Sequence, residues 1–315
     1  MMTDTATLNT PELIAKVRAL EKQVGNTPLH EVTHLFTKKN VHIYAKKEWQ
    51  QLSGSVKARA AYSIIRGAIE RGELTKQKTL LDATSGNTGI AYATIGALLN
   101  IRVALCLPEN ASRERKEILR SLGAELILTS PFEGTDGAQQ TALALAEEDP
   151  GKYFYADQYK NPDNWKAHYR TTAVEIVREL PGITHFVAGL GTTGTFVGTG
   201  RRLRELTPSA RLISLQPELA MHGMEGWKHL ETAIVPGIYD ASLADESLEI
   251  GTEEAYDTIR AAYRYEDLLL SPSAAANLAG AIRVADKLEK GIVVTVFPDN
   301  ADKYGEVIQA LKIKN

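Results

Sequence analysis

The amino-acid sequence predicts an α/β protein with two open, twisted, mostly parallel sheets that carry helices on both faces. Three observations support this fold class. Short apolar runs alternate with amphipathic stretches, and glycine-bearing turns join them. These runs form two groups that meet near residues 153–160. The chain has 315 residues, and a domain usually comprises about 150 residues, so the length fits two domains.

The first group of elements defines an N-terminal α/β domain, for which we expect residues 41–158. Residues 1–40 and 159–315 are expected to form a C-terminal α/β domain. Residues 41–45 are β-branched and aromatic and predict a strand. Residues 55–72 have helical apolar spacing and end in a glycine, so they predict a helix. The same reasoning predicts strands at 79–83, 102–107 and 125–129. It also predicts one helix that ends near residue 99 and two more at 112–122 and 137–148.

The second group repeats the pattern in the C-terminal half. Residues 165–180 predict one long helix, because Pro181 and Gly182 follow it directly. Strands are predicted at 185–188, 211–215 and 292–297, and helices after residue 195 and at 253–265 and 274–287. Ligands in open α/β sheets bind at the carboxyl ends of strands, where the glycine-rich segments of this chain lie.

Composition excludes several classes of protein. Lysine plus arginine number 36 and aspartate plus glutamate 39, giving a net charge of −3, and no long basic run suggests nucleic-acid binding. Cys106 is the single cysteine, so no intrachain disulfide can form and we read it as a small buried apolar residue. The N-terminus does not resemble a signal peptide and no apolar run is long enough to cross a membrane. We therefore expect a cytoplasmic protein.

Lys57 lies near the predicted start of a helix, within the run SGSVKAR at 53–59. A cation at this end of a helix opposes the helix dipole, and the small neighbours leave room for a ligand. The lysine is therefore either a nucleophile that forms a Schiff base or an ordinary exposed lysine.

Residues 84–89, TSGNTG, connect a buried strand to a helix. Hydroxyl, amide and backbone N–H donors at a helix N-terminus are typical of a site for a carboxylate or phosphate. An ordinary capped turn is the alternative.

Residues 189–195, GLGTTGT, follow a strand and open a helix. The spacing matches a dinucleotide-binding fingerprint, but the strand at 211–215 is followed by Gln216 and Pro217 and not by an acid for the ribose. Three threonines add phosphate donors, so a single phosphate fits better.

Ser273 precedes an alanine-rich helix in the run LSPSAAAN at 270–277. Taken alone, it is best read as the N-cap of that helix.

Taken together and in this order, these segments resemble the fold-type II pyridoxal-phosphate enzymes, which have the tryptophan synthase β-like fold. Within them the chain is most similar to the cysteine synthase (O-acetylserine sulfhydrylase) group, particularly its B-type branch. The resemblance runs nearly end to end. Its further motifs are GNTPL at 25–29, KKE at 46–48, QYKNPDN at 158–164, HY at 168–169, LQP at 215–217, VPGIY at 235–239, PD at 298–299 and DKY at 302–304.

The resemblance assigns roles residue by residue. Lys57 corresponds to the lysine that forms a Schiff base with pyridoxal 5'-phosphate, and Asn87 to the asparagine that hydrogen-bonds its phenolic oxygen. Ser273 corresponds to the serine that faces the pyridine nitrogen. The phosphate cup corresponds to Gly191, Thr192, Thr193, Gly194 and Thr195. The substrate α-carboxylate site corresponds to Thr84, Ser85, Gly86, Thr88 and Gln158.

The implied activity is a β-replacement that makes L-cysteine from O-acetyl-L-serine, or a similar activated serine, and sulfide through an α-aminoacrylate. The resemblance also implies a homodimer and a small mobile subdomain at about 100–148. No metal is expected, and His222 and His229 are read as solvent or core residues. The segment 216–236 is hypothesised to border the active-site entrance.

Several departures from the family pattern leave the substrate open. Ala58 follows Lys57 where aspartate is common, and Ala274 follows Ser273 where serine is common. A phosphoserine user would need an extra cation, for which Arg113, Arg211 and Lys228 are candidates. A serine or threonine dehydratase, a cystathionine β-synthase-like enzyme and a diaminopropionate synthase remain alternatives. So do an NAD-dependent oxidoreductase and a non-enzymatic paralogue.

Overall fold

The structure, a computed structural model, describes residues 10–84 and 86–313. Within these residues the chain forms ten β-strands and eleven α-helices. The strands are β1 (Leu29–Val32), β2 (Val41–Lys47), β3 (Thr79–Ala83), β4 (Arg102–Pro108), β5 (Glu125–Thr129), β6 (Tyr153–Tyr155), β7 (His185–Gly189), β8 (Arg211–Pro217), β9 (Glu246–Ile250) and β10 (Gly291–Phe297). The helices are α1 (Thr10–Ala19), α2 (Lys57–Glu70), α3 (Asn87–Leu99), α4 (Arg113–Ser121), α5 (Gly134–Glu148), α6 (Pro162–Arg170), α7 (Thr172–Glu179), α8 (Gly194–Leu206), α9 (Thr252–Glu266), α10 (Pro272–Asp286) and α11 (Gly305–Ala310).

The described chain divides into two compact units. Unit 1 contains the residues up to Gly25 together with Lys57–Asn164, and unit 2 contains Asn26–Val56 and Trp165–Asn315. The domain boundaries expected from the sequence stay a prediction. No described helix is long and apolar enough to cross a membrane.

Unit 1 is built on a four-stranded parallel sheet in the order β5-β4-β3-β6. Side chains alternate between the two faces of each strand. Ala104 and Cys106 of β4 pack with Ala138 and Ala142 of α5. Leu105 points to the opposite face, where it lies beside Gly89 of α3. Helices therefore cover both faces of this sheet, as a parallel sheet requires.

Unit 2 contains a six-stranded sheet in the order β1-β2-β10-β7-β8-β9, parallel except for the β1–β2 pair. One apolar cluster joins Val187 and Val293 to α9 and α10. A second cluster on the other face joins Phe186 and Val294 to α7 and α8. The predicted fold class is confirmed.

The elements differ from the sequence prediction mainly where they are short or polar. β3 and β5 have the predicted bounds, whereas β1, β6, β9, α1 and α11 were not predicted. The long helix predicted at 165–180 is wrong, since α6 and α7 are separate helices. The break falls at Thr171, whose φ of −122° and ψ of −67° are not helical. Its hydroxyl donates to the carbonyl of Ala167 at 2.7 Å, a side-chain contact that competes with regular helix geometry.

A buried ion pair anchors the edge of the unit 2 sheet. Lys46 of β2 is fully buried and its Nζ lies 2.9 Å from Oε2 of Glu175 in α7. The same Nζ donates to the carbonyl of Thr27 at 2.6 Å. The Thr27 hydroxyl in turn donates to Glu48 at 2.6 Å. The GNTPL and KKE motifs therefore meet in one buried polar network, which is stable only while each charge keeps its partner.

Replacing Lys46 should destabilise the fold strongly. Lys46→Met leaves the Glu175 carboxylate buried without its cation, so we expect the free energy of unfolding to fall by about 3–5 kcal/mol. Lys16→Met removes the solvent-exposed pair with Glu12 and should lower the free energy of unfolding far less, because water screens that pair. Urea unfolding of both variants tests this, and equal losses would show that the Lys46 pair contributes no more than a surface pair.

Candidate active site

Lys57 is the first residue of α2, as the sequence predicts, and is partly exposed. The chain reaches it through Ser53 and Gly54, whose φ angles of 61° and 64° both lie in the left-handed region. The carbonyl of Gly54 accepts a hydrogen bond from Nζ of Lys303 at 3.1 Å. This strained turn determines where α2 begins, and strain of this kind is common beside functional residues.

The loop after β3 places polar groups at the N-terminus of α3. Its backbone begins at Thr84, whose N–H donates to the carbonyl of Cys106 at 3.0 Å, and Gly86 N–H donates to the Thr84 hydroxyl at 3.2 Å. Gly86 is the N-cap residue, and its helix has no acidic residue in the first turn. A helix start of this kind favours an anion. Ser85 lies outside the described residues.

Gln158 is held directly against this loop. The hydroxyl of Thr88 donates to Gln158 Oε1 at 2.7 Å, and Gln158 Nε2 donates to the carbonyl of Ala83 at 3.0 Å. The side chain of Asn164 donates to the Gln158 carbonyl at 2.8 Å. The structure therefore brings Gln158 against the loop that contains Thr84 and Thr88, although at least seventy positions of the chain separate Gln158 from either threonine.

Two charged residues near this loop were not recognised in the sequence. Asp82 of β3 is fully buried and accepts hydrogen bonds from Ala83 N–H at 2.8 Å and from Gln158 N–H at 3.3 Å. Burial raises its pKa to about 7. Arg115 of α4 is also buried, with Nη1 3.3 Å from the point where a Cβ on Gly86 would lie. An acid inside the apolar run TLLDA was the available signal for Asp82.

In unit 2 the loop between β7 and α8 forms a close-fitting cup. Thr193 is the N-cap of α8 and has a φ of 71°. Its hydroxyl is buried and makes no hydrogen bond to the described residues. A Cβ on Gly191 would lie 2.1 Å from the carbonyl oxygen of Gly226, so only glycine fits there. Gly189 is similarly close to the ring of Trp227. Part of the 216–236 segment therefore lies against this loop.

His168 supports the same loop. Its Nδ1 lies 2.9 Å from the Thr172 hydroxyl and its Nε2 lies 3.4 Å from the Thr195 hydroxyl. The ring is almost completely buried. The HY motif at 168–169 thereby contacts the glycine loop, which the sequence order alone did not indicate.

Ser273 does not cap its helix, so the interpretation of Ser273 as an N-cap is wrong. The N-cap of α10 is Ser271, whose hydroxyl accepts from Ala274 N–H at 3.2 Å, and Pro272 occupies the first helical position. Ser273 is buried inside the first turn, with its hydroxyl 3.3 Å from that of Ser271. One turn later, Asn277 accepts from Gly189 N–H at 2.8 Å and thereby ties α10 to the end of β7.

The three cations considered for a phosphoserine substrate lie in different parts of the chain. Arg113 is exposed and pairs with Glu117, while Arg211 lies at the opposite, amino end of β8 and pairs with Glu246. Lys228 is buried, and its N–H donates to the carbonyl of Leu190 at 2.8 Å. Of these three cations, Lys228 is the one beside the glycine loop.

The interpretation of Cys106 as a buried core residue is confirmed, and burial raises its pKa to about 12.

Within residues 10–84 and 86–313, no cluster of three or more His, Cys, Asp or Glu side chains could hold a metal ion. His222 is half-buried, and this burial lowers its pKa.

The unit 2 loop fits the phosphate of a cofactor. It combines a helix N-terminus, a glycine that lets the backbone approach closely, and the buried Thr193 hydroxyl with a hydrogen bond still to make. Residues 20–299 match the family described as pyridoxal-phosphate dependent enzyme. The chain belongs to this family. Its members depend on pyridoxal phosphate, and the unit 2 loop is suited to hold the phosphate group of that cofactor.

Individual relatives support the same placement. The chain is 46% identical to a cysteine synthase of Aquifex aeolicus, over 90% of this chain and 89% of that protein. It is 43% identical to cysteine synthase B of Salmonella typhimurium, over 91% and 94% of the two chains. The structure resembles that of the O-acetylserine dependent cystathionine β-synthase of Helicobacter pylori, with a TM-score of 0.85 and 34% identity over 96% of this chain and 98% of that chain.

The close contact at Gly191 makes a test of the phosphate loop. Gly191→Ala places a methyl group 2.1 Å from a backbone carbonyl, so the loop must move and pyridoxal phosphate affinity should fall by at least about tenfold. Gly182→Ala is the control, because the nearest atom to its Cβ would be at an ordinary 3.6 Å. Fluorescence titration of the cofactor-free proteins measures both affinities. Equal affinities would show that this loop does not hold the phosphate.

Proposed function

We propose that this enzyme makes L-cysteine from O-acetyl-L-serine, or a similarly activated serine, and sulfide. The observation that carries the proposal is the loop at 84–89, in which Thr88 fixes Gln158 beside the N-terminus of α3. Such a set of donors suits the α-carboxylate of an amino acid. The cysteine synthase relatives, at 46% and 43% identity, support the same activity.

The bound cofactor supplies an electron sink for the substrate α-carbon. Lys57 would hold the cofactor through its amine nitrogen, and a free Lys57 amine would be available as a base while the substrate is bound. The freed amine of Lys57 then takes the α-proton as the C–O bond to acetate breaks. After sulfide forms the new C–S bond, Lys57 returns a proton to the α-carbon. Lys57 is the first residue of α2 and is partly exposed as a residue.

The remaining residues bind and orient. We assign the cofactor phosphate to Gly191, Thr192, Thr193, Gly194 and Thr195, the phenolic oxygen to Asn87 and the pyridine nitrogen to Ser273. A serine hydroxyl can hydrogen-bond that nitrogen but hardly protonates it. The resulting electron sink is modest, which suits the departure of a good leaving group such as acetate.

The α-carboxylate of the substrate is assigned to the loop after β3 and its neighbour. The residues are Thr84, Ser85, Gly86, Thr88 and Gln158. The buried guanidinium of Arg115, next to Gly86, adds positive charge close to this loop.

A second nucleophile is the main competing possibility. The structural relative from Helicobacter pylori is an O-acetylserine dependent cystathionine β-synthase. A thiol in place of sulfide would use the same activated serine and the same residues up to the loss of acetate. The nucleophile therefore has to be measured separately from the amino-acid substrate.

A substrate panel on the purified protein tests the proposal. The protein should be yellow, and O-acetylserine should change its absorbance, with sulfide restoring it. O-phosphoserine, serine, threonine and homocysteine should be weaker substrates. Lys57→Ala should lower kcat by at least about 10²–10⁴-fold, whereas Lys78→Ala, on the same unit, should not. A response to serine or threonine alone would favour a dehydratase, and a colourless protein that takes up no cofactor would refute the proposal.

We also propose that the enzyme is a homodimer and acts in the cytoplasm. The homodimer follows from the family resemblance, and the single buried Cys106 suits a reducing compartment. Light scattering at micromolar concentration should give twice the mass of one chain. A mass equal to one chain would contradict the dimer.

A further inference from the structure

We propose that Asp82 is a positioning residue that holds Gln158 and the loop at 84–89 in register, and that it does so best when its carboxyl group is ionised. The inference rests on the proposed function, because it concerns the site assigned to the substrate carboxylate. Asp82 itself does not touch the substrate in this proposal. It acts through the backbone of Ala83 and Gln158.

The geometry forms a closed set of hydrogen bonds within unit 1. Asp82 Oδ1 accepts from Ala83 N–H at 2.8 Å, and Oδ2 accepts from Gln158 N–H at 3.3 Å. Gln158 returns a bond to the Ala83 carbonyl at 3.0 Å and accepts one from Thr88 at 2.7 Å. The end of β3, the start of α3 and the segment after β6 are therefore joined around one carboxyl group.

Among the described residues, the groups with the strongest effect on the Asp82 carboxyl do not include a cation. The groups that face it are Tyr92 of α3, Cys106 of β4, Tyr155 of β6, and Asp157 and Tyr159 after β6, and Asp136 of α5 lies near Tyr159. All of these are neutral or acidic. Burial therefore dominates and raises the pKa of Asp82 to about 7, while its hydrogen bonds oppose the rise.

The charge state of the Asp82 carboxyl determines from how many backbone N–H groups it can accept hydrogen bonds. An ionised carboxylate accepts from both Ala83 and Gln158, whereas a protonated carboxyl has one oxygen occupied by its own proton. The longer bond, to Gln158 at 3.3 Å, is the one that protonation weakens. Gln158 should therefore be held less firmly as the pH falls through the pKa of Asp82.

The effect on stability has the opposite sign. Because the pKa of Asp82 is raised in the folded chain, the folded state binds its proton more tightly than the unfolded state between about pH 4 and 7. The free energy of unfolding thus decreases as the pH rises through this window. Ionisation tightens the substrate site locally and at the same time destabilises the fold.

Asp82→Asn tests the role of the carboxyl group in the holoenzyme. An amide keeps the shape but presents one acceptor and one N–H₂ group, so one of the two backbone N–H groups loses its partner. At about pH 8 we expect the KM for O-acetylserine to rise about tenfold with kcat changed less than about threefold. At about pH 6, where wild-type Asp82 is protonated, the difference should disappear.

Asp163→Asn is the matched control. Asp163 is also a nearly buried carboxylate of unit 1, but it pairs with Arg71 at 2.9 Å. We expect a loss of stability without a pH-dependent change in KM. An equal, pH-dependent rise in KM in both variants would overturn the proposal.

Two further measurements test the positioning role of Asp82 without depending on the catalytic activity of the Asp82→Asn variant. In the wild type, the KM for O-acetylserine should rise as the pH falls through about 7, because protonation of Asp82 weakens its hold on Gln158. Amide hydrogen exchange at Gln158, measured without substrate at one pH, should be faster in Asp82→Asn than in the wild type. Unchanged exchange and an unchanged pH profile would overturn the proposal. If the wild type does not use O-acetylserine, the proposed function fails, and the exchange experiment still tests Asp82.

Discussion

Parallel strand pairing is the constraint on which the candidate binding loop of each unit depends. Parallel strands have their carboxyl ends at the same edge of a sheet, so the loops that follow them are neighbours. In unit 1 this brings the loop after β3 together with Gln158, which follows β6 next to it. In unit 2 it places the glycine loop after β7 beside α10, where Asn277 binds Gly189. Strand order alone therefore brings together residues that are far apart in the sequence.

The two units compensate their buried charged side chains in different ways. In unit 2, Lys46 and Glu175 neutralise one another, and Thr27 and Glu48 extend the network by hydrogen bonds. In unit 1, the hydrogen bonds to the Asp82 carboxyl come from the backbone N–H groups of Ala83 and Gln158, and burial raises its pKa to about 7. The first arrangement contributes rigidity. The second leaves a group that can change its protonation state near neutral pH.

The sequence predicted the fold class and most of the candidate site, because both are local patterns. Apolar runs specified β3 and β5, and glycine-rich turns marked the loops at 84–89 and 189–195. The split between α6 and α7 was not predictable from periodicity, since nothing in the apolar spacing marks Thr171, whose backbone angles are not helical. Asp82 was hidden within an apolar strand, because its partner Gln158 is known only from the tertiary structure.

The contact between Gly189 and Trp227 limits how this protein can change over evolution. A Cβ on residue 189 would lie 2.1 Å from the Trp227 ring, so a larger residue fits there only if position 227 first becomes small. Removing that large ring alone would open a cavity beside the glycine loop. Neither single change is well tolerated, so the two positions are expected to vary as a pair. Evolution of a differently shaped glycine loop would therefore require an intermediate sequence of lower stability. Such an intermediate would remain folded only if the protein had more stability than it needs.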